Sequence, residues 1–177
     1  SIAITGPTKI TAYAQASGMK DSDKVTFNYS IATIKPITEV RLYVKGQPAL
    51  IEGIITHKAG REMYIQDETG AIVLYDFDAD VANVGDKVRV GGVMEIYNGL
   101  QELKPDPHFD YSVIEANIGV PPVKIITPED LTTANGESVE AQYVKIENVE
   151  ITKKSGSNVT ATSGGKEFII YSGLTEL

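Results

Sequence analysis

Few side chains in this 177-residue chain have the types and spacing that chemistry needs. Cysteine is absent, which excludes disulfides, thiolate zinc sites and a cysteine nucleophile. The two histidines, His57 and His108, stand far apart and share no HxH or HxxxH spacing. Each falls at the end of a strand-like run and reads as a solvated surface residue. No nucleophile elbow supports Ser-His-Asp chemistry. Asp76-Phe77-Asp78-Ala79-Asp80 opens like a calcium loop but lacks the following glycine and the distal glutamate. Asp76, Asp78 and Asp80 are therefore weak metal candidates, better read as a solvated loop that blunts a sheet edge. Gly91-Gly92 and Gly164-Gly165 lack any phosphate-loop context and read as a strand kink and a turn. The expectation is a chain that is not an enzyme and needs no cofactor.

Charge restricts the partners. The net charge is −8. Between Lys45 and Glu115 stand six basic residues (Lys45, Lys58, Arg61, Lys87, Arg89, Lys104) against thirteen acids. Nonspecific nucleic-acid affinity comes mainly from cations that displace phosphate counterions. Such a segment repels a polyanion unless its bases gather on one face. No apolar run approaches the roughly 20 residues of a membrane span, so no membrane insertion is expected. The opening SIAITGPTK shows neither the basic start nor the apolar core of a signal peptide.

The elements that must position any site are strands. Residues 49 to 104 hold four runs rich in β-branched and aromatic residues: Leu50–Thr56, Met63–Gln66, Ala71–Phe77 and Lys87–Tyr97. Each ends at a turn signal, and Asn98-Gly99 joins the last to a short fifth run, Leu100–Lys104. Five short strands with tight turns and no long helix imply a small closed barrel, because closure removes exposed edges. Along Glu62–Asp67, Met63 and Ile65 share one face and Tyr64 and Gln66 the other; alternation alone leaves open which is core.

The patterns Tyr64-Ile65-Gln66-Asp67 with Thr69-Gly70, Val84-Gly85-Asp86-Lys87-Val88 and Tyr97-Asn98-Gly99-Leu100-Gln101-Glu102-Leu103 resemble the OB-fold domains of secreted bacterial proteins. These are the YhcR-like domains associated with extracellular nucleases and nucleotidases. The resemblance covers roughly residues 37 to 116. It implies an all-β, five-stranded Greek-key barrel with a short helix before its first strand. Pro36 and Thr38, as a possible N-cap, suit that helix. The ligand face of such a barrel is usually strands two and three with the loops joining strands one to two and four to five. Mapped here, it comprises Lys58, Arg61, Tyr64, Gln66, Tyr75, Tyr97, Asn98 and Gln101. Tyrosines for stacking beside amides for hydrogen bonds suit single-stranded nucleotides or sugar rings. Tyrosines that merely pack the barrel are the competing reading.

Residues 1–36 read as two strands, Lys9–Gln15 and Lys24–Ile31, around a turn at Ala16-Ser17-Gly18. Alternation puts Ile10 and Ala12 on one face and Val25, Phe27 and Tyr29 likewise. Thr11, Ala12, Ala14, Gly18 and Ser22 resemble the end of a chitobiase C-terminal or Fn3-associated module, which implies Ig-like strands. Residues 117–177 hold a Pro-rich linker, Gly119–Pro128, and a helix start in which Thr127 caps and Pro128 takes the first position. Val144–Gly173 then repeats the order of Leu50–Asp78: strand, basic turn, short strand, Gly-containing turn, apolar strand ending at a tyrosine. Two readings stay open, the start of a second OB-like unit with further strands beyond Leu177, or a meander that completes a shared sheet. Exposed edges would invite a homodimer.

The expected function is a noncatalytic accessory or binding module of an exported bacterial multidomain protein, secreted or on the cell surface, partnered by neighbouring domains. The alternatives are single-stranded nucleic-acid or nucleotide binding in support of a nuclease or nucleotidase, or glycan binding.

Overall fold

The computed structural model describes residues 4–132 and 136–171. The chain divides into two units after Thr33. The first holds one antiparallel hairpin of β1 (Thr8–Ala12) and β2 (Val25–Tyr29). Its register opposes Ile10 to Phe27 and Ala12 to Val25, so the apolar face expected from alternation forms. Ser22 fastens the connecting loop, its Oγ accepting from the Ala14 amide at 2.8 Å.

The second unit begins with a short helix, α1 (Ile37–Val40), and a barrel of β3 (Pro48–Ala59), β4 (Glu62–Gln66), β5 (Ala71–Tyr75), β6 (Lys87–Tyr97) and β7 (Leu100–Pro105). The strands are hydrogen-bonded in the order β3-β4-β5-β7-β6, and β6 returns to β3. Only β5 and β7 run parallel within that ring. This is the OB-fold order, and the all-β barrel expected from the sequence is present. Alternation decides what fills it. Ile51, Ile55, Met63, Ile65, Ile72, Leu74, Val88, Val90, Met94 and Leu103 point inward and are fully buried. Each such side chain contributes about 1.5–3 kcal/mol by leaving water.

Closure depends on bending two long strands. β3 pairs with β6 from Pro48 to Ile54 and with β4 from Ile54 to Ala59, with a bulge at Thr56. On its other edge β6 trades neighbours: β8 (Tyr111–Glu115) lies along Lys87–Val90, and β7 along Gly92–Tyr97. The kink read at Gly91-Gly92 is the point of that exchange. A Cβ on Gly91 would fall 2.3 Å from the Phe109 ring, and one on Gly92 2.1 Å from the Lys104 carbonyl oxygen.

The helix start departs from expectation. Thr38 is not the cap; Pro36 holds the N-cap position and offers no side-chain bond. The orphan amides are satisfied from the β4–β5 turn instead. The Asp67 carboxylate accepts from Ile37 N at 2.9 Å, and Thr69 Oγ1 accepts from Thr38 N at 3.3 Å. The same carboxylate accepts from the Thr69 amide and hydroxyl and the Gly70 amide, at 2.7, 2.6 and 2.8 Å. One side chain thus fixes a hairpin turn and a helix thirty residues upstream.

After β8 the chain repeats this plan. Ile34, just before α1, bridges Leu50 of β3 in parallel. In the same way β9 (Lys124–Ile126) runs parallel to β10 (Val144–Ile146), with a 3-10 turn at Pro128–Leu131 in the place of α1. The Asp130 carboxylate accepts from the Thr127 amide and hydroxyl at 2.8 and 2.9 Å, the capping arrangement expected there. The strands β11 (Glu150–Ser155), β12 (Asn158–Ser163) and β13 (Lys166–Tyr171) form an antiparallel meander with Val159 and Ala161 buried. The meander is a sheet of its own, so the shared-sheet reading fails among the described residues. The last two positions of the Val144–Gly173 repeat lie outside them.

Two measurements test these contacts. Gly92→Ala forces β6 off β7 and is expected to lower stability by about 1–3 kcal/mol, read by thermal or urea unfolding. Asp86 is buried, accepting from Asn83 N and Asn117 N at 2.8 Å each, and these bonds hold its carboxyl below the usual range. Its contribution is present above the unfolded pKa of about 3.9 and is lost as pH falls through the lower folded value. The melting temperatures of the parent and Asp86→Asn should differ at pH 7 and converge below about pH 4. A difference that does not change with pH would refute the assignment.

Candidate ligand-binding face

With Met63 and Ile65 inside, Tyr64 falls on the outer surface of the barrel, and the strand registers align it with four neighbours. His57 of β3 stands opposite Tyr64 of β4, Tyr64 opposite Val73 of β5, Val73 beside Glu102 of β7, and Glu102 opposite Glu95 of β6. A second row places Glu62 opposite Tyr75. Val73 has no exposed surface although it points out of the barrel, so the side chains around it form a close-packed floor.

Tyr64 donates its hydroxyl to Glu62 Oε2 at 2.8 Å. Half-burial and that carboxylate push its phenol well above the ordinary range. The Tyr75 ring carries two cations, Arg61 at 4.8 Å and Lys104 at 5.1 Å from its centroid. Arg61 is held by Asp76, with Nε 2.8 Å from Oδ1 and Nη2 2.6 Å from Oδ2, and its guanidinium remains largely exposed. Glu95 accepts from Lys45 Nζ at 2.7 Å and from Ile96 N at 3.0 Å. Glu102 differs from both of its fellow carboxylates. Its residue as a whole is 3% exposed and it makes no hydrogen bond among the described residues, yet its carboxylate oxygens are not fully buried and keep contact with solvent. Burial raises its pKa, against the pull of Lys104 and with the push of Glu62 and Glu95. A carboxylate that has lost part of its water without gaining a partner carries a cost in the free protein.

The structure brings together part of the expected set. Arg61, Tyr64 and Tyr75 share the face. Gln66 lies one row along it, its Oε1 accepting from Tyr143 N at 2.8 Å. Tyr97 is exposed on the outer side of β6, and Asn98 occupies the tight turn with a positive φ of 51°. Lys58 does not join them: after the Thr56 bulge it turns under the barrel and donates to the carbonyls of Ala79 and, at 2.7 Å, Ala82. Gln101 shares its side of β7 with core Leu103, and its Oε1 is buried without a partner among the described residues. Asp76, Asp78 and Asp80 do not converge: Asp76 holds Arg61 and Asp78 Oδ1 accepts from Asp80 N. No group of three potential metal ligands occurs among the described residues.

His57 corrects the solvated-histidine reading. The bulge swings it onto the outer face, its ring 5.8 Å from that of Tyr64, and its Nε2 is buried without a partner among the described residues. His108 is exposed and bonded to Asp106 at 2.8 Å. Glu102 and His57 escaped the sequence reading because their placement depends on a bulge and on a parallel pairing of distant strands. Neither leaves a local pattern.

A groove of about 1000 Å³ opens beside this face, over Ile54 and Gln66, between the β4–β5 turn and the prolines of the linker. Its lining interleaves Lys35, Lys87 and Lys124 with Glu52, Glu68 and Glu115. Lys35 is tied to Glu39 at 2.7 Å, and Lys87 lies 3.8 Å from Glu52. The groove is spacious, but the unpartnered carboxyl lies on the neighbouring face.

No family model matches the chain, and no curated protein does. Among solved structures it is similar to a murine DNA-binding protein bound with double-stranded DNA, at 16% identity and a TM-score of 0.42, covering 62% of this chain and 71% of that one. It is also similar to the HINb domain of p204, at 20% identity and a TM-score of 0.37, covering 46% of this chain and 47% of that one. Likenesses this loose add nothing to a fold that rests on strand order and register.

The burial of Glu102 has a measurable sign. A carboxyl whose folded pKa is raised costs nothing below its unfolded pKa of about 4.3, and its ionisation opposes folding as pH rises through the folded value. Glu102→Gln is therefore expected to raise the melting temperature at pH 7.5, with the gain shrinking toward zero at pH 4. A lower melting temperature at pH 7.5 would mean that the carboxylate is stabilised by a partner.

Proposed function

We propose that this chain is a noncatalytic binding module whose outer β4–β5–β7 face takes single-stranded nucleic acid or a nucleotide by its bases. The observation that carries the proposal is the layered group on that face. The Tyr75 ring backs the exposed Arg61 guanidinium and Lys104, with Tyr64 alongside and carboxylate acceptors between. Aromatic rings and guanidinium planes stack bases regardless of sequence, and acceptors beside them read base edges. The OB order places such a face where oligonucleotides and oligosaccharides bind in this fold; that is support by analogy of fold.

The charge pattern shapes the proposal. Five of the six basic residues between Lys45 and Glu115 lie within 4.0 Å of a carboxylate, and Lys58 is held by carbonyls. Binding would then draw little on phosphate neutralisation and mostly on stacking. On the resemblance of residues 37 to 116 to YhcR-like domains, we place the module in an exported bacterial multidomain protein that handles nucleic acid or nucleotides.

Fluorescence anisotropy with short labelled single-stranded oligonucleotides tests this. Micromolar binding is expected, with log Kd changing by only about 0.7–1.4 per decade of salt for one or two phosphate contacts. Tyr64→Ala and Tyr75→Ala should each weaken binding by about 1–3 kcal/mol while thermal unfolding confirms that they fold. No saturable binding at high micromolar protein would refute the proposal, and a glycan array positive under the same conditions would replace it with carbohydrate binding.

A further inference from the structure

The outer face carries three carboxylates, and only one is uncommitted. Glu62 accepts the Tyr64 hydroxyl at 2.8 Å. Glu95 is occupied by Lys45 Nζ and its own neighbour's amide. Glu102 lies opposite Glu95 in the register, 3% exposed as a residue, with no bond of its own among the described residues. Its neighbour across β5 is the fully buried Val73, which can offer nothing polar. A carboxylate that keeps only part of its water in the unliganded barrel gains when a donor arrives. His57 Nε2, at the other end of the same row, is buried with no partner among the described residues. Polar capacity held without partners beside stacking rings is the arrangement of a recognition site rather than of a packing layer.

We propose that Glu102 is the specificity-determining acceptor of this face, its carboxylate taking paired N–H donors from a nucleobase edge and so favouring guanine. This rests on the nucleic-acid reading and adds to it a choice of base. Guanine presents two adjacent donors, N1–H and the exocyclic N2 amine, spaced to meet the two carboxylate oxygens. Adenine and cytosine present one donor beside an acceptor lone pair. Thymine presents its N3–H between two carbonyl oxygens, which a carboxylate repels. Lys104, two residues along β7 with its side chain 38% exposed, rests on Tyr75 beside this carboxylate and offers a cation to a flanking phosphate.

The test compares three labelled heptadeoxythymidines that carry dG, dI or dT at the centre, binding wild-type protein and Glu102→Gln. Inosine lacks only the N2 amine, so the dG to dI ratio isolates the second donor. Wild type should prefer dG over dI by about tenfold, the size of a bidentate base contact, and dI over dT. Glu102→Gln should bring dG and dI within about twofold of each other and bind the all-dT strand at least as well as wild type does. A dG to dI ratio that survives Glu102→Gln overturns the role of Glu102 and leaves the nucleic-acid reading standing. So does equal binding of all three strands by wild type. Failure of every strand to bind wild type, with the protein folded, overturns both.

Discussion

The double pairing of β3 is the constraint on which this molecule depends. A twelve-residue strand cannot stay flat and serve β6 with its first half and β4 with its second. It has to coil, and the bulge at Thr56 supplies the extra residue that makes the turn sharp. That bulge has three effects. It closes the ring so that no strand of the barrel lacks a partner on either side. It reverses the parity of the residues beyond it, sending Lys58 under the barrel to tie down the Asp78–Ala82 loop. It also presents His57 on the outside beside Tyr64, so the candidate face begins where the barrel is bent shut.

Asp67 extends the same economy to the helix. A turn aspartate usually satisfies its own loop; this one has oxygen lone pairs left over and uses them on the first turn of α1. The short helix thereby sits over one end of the barrel with Ile37 and Val40 fully buried. Its Arg41 reaches the other way, donating to the Ala71 carbonyl and to Glu137 and Glu140 at 2.8 Å each, with only 9% of its side chain exposed. Barrel, helix and the start of the second repeat are held by one carboxylate and one guanidinium, each used on several bonds. Shared bonds of this kind are not additive, because removing either group leaves several polar atoms unpaired at once.

How much could be read from the sequence was set by the range of the interactions involved. The barrel strands, the Asn98-Gly99 hairpin, the glycine kink and the Thr127–Asp130 cap depend on alternation and on residues within a turn of one another. All were legible. Thr38 was misread as a cap because the true acceptor arrives thirty residues later, through a tertiary contact. Gln101 was mapped onto the ligand face, yet pairing with Ile96 puts it on the inner side of β7. Glu102, a neutral-looking position in an acidic stretch, gained its meaning only when β7 came to lie parallel to β5. Parallel neighbours are set by topology, and no window of sequence contains both strands.

The acidic composition and the proposed nucleic-acid role look opposed, and the pairing pattern bears on whether they can coexist. A surface that binds phosphate needs cations free to exchange partners, and here the barrel's cations are committed to carboxylates or carbonyls. On the proposed reading such a barrel would discriminate against long polyanions and duplex backbones. Among the described residues of the outer β4–β5–β7 face, the carboxylate left without a bond is Glu102, which would meet base donors rather than phosphates. The net charge would then act as a filter: strands whose bases are stacked away would gain nothing, while an unpaired base that reaches the floor would gain stacking and an acceptor together. Affinity on that proposal would be modest, with selectivity coming from the edge of the base.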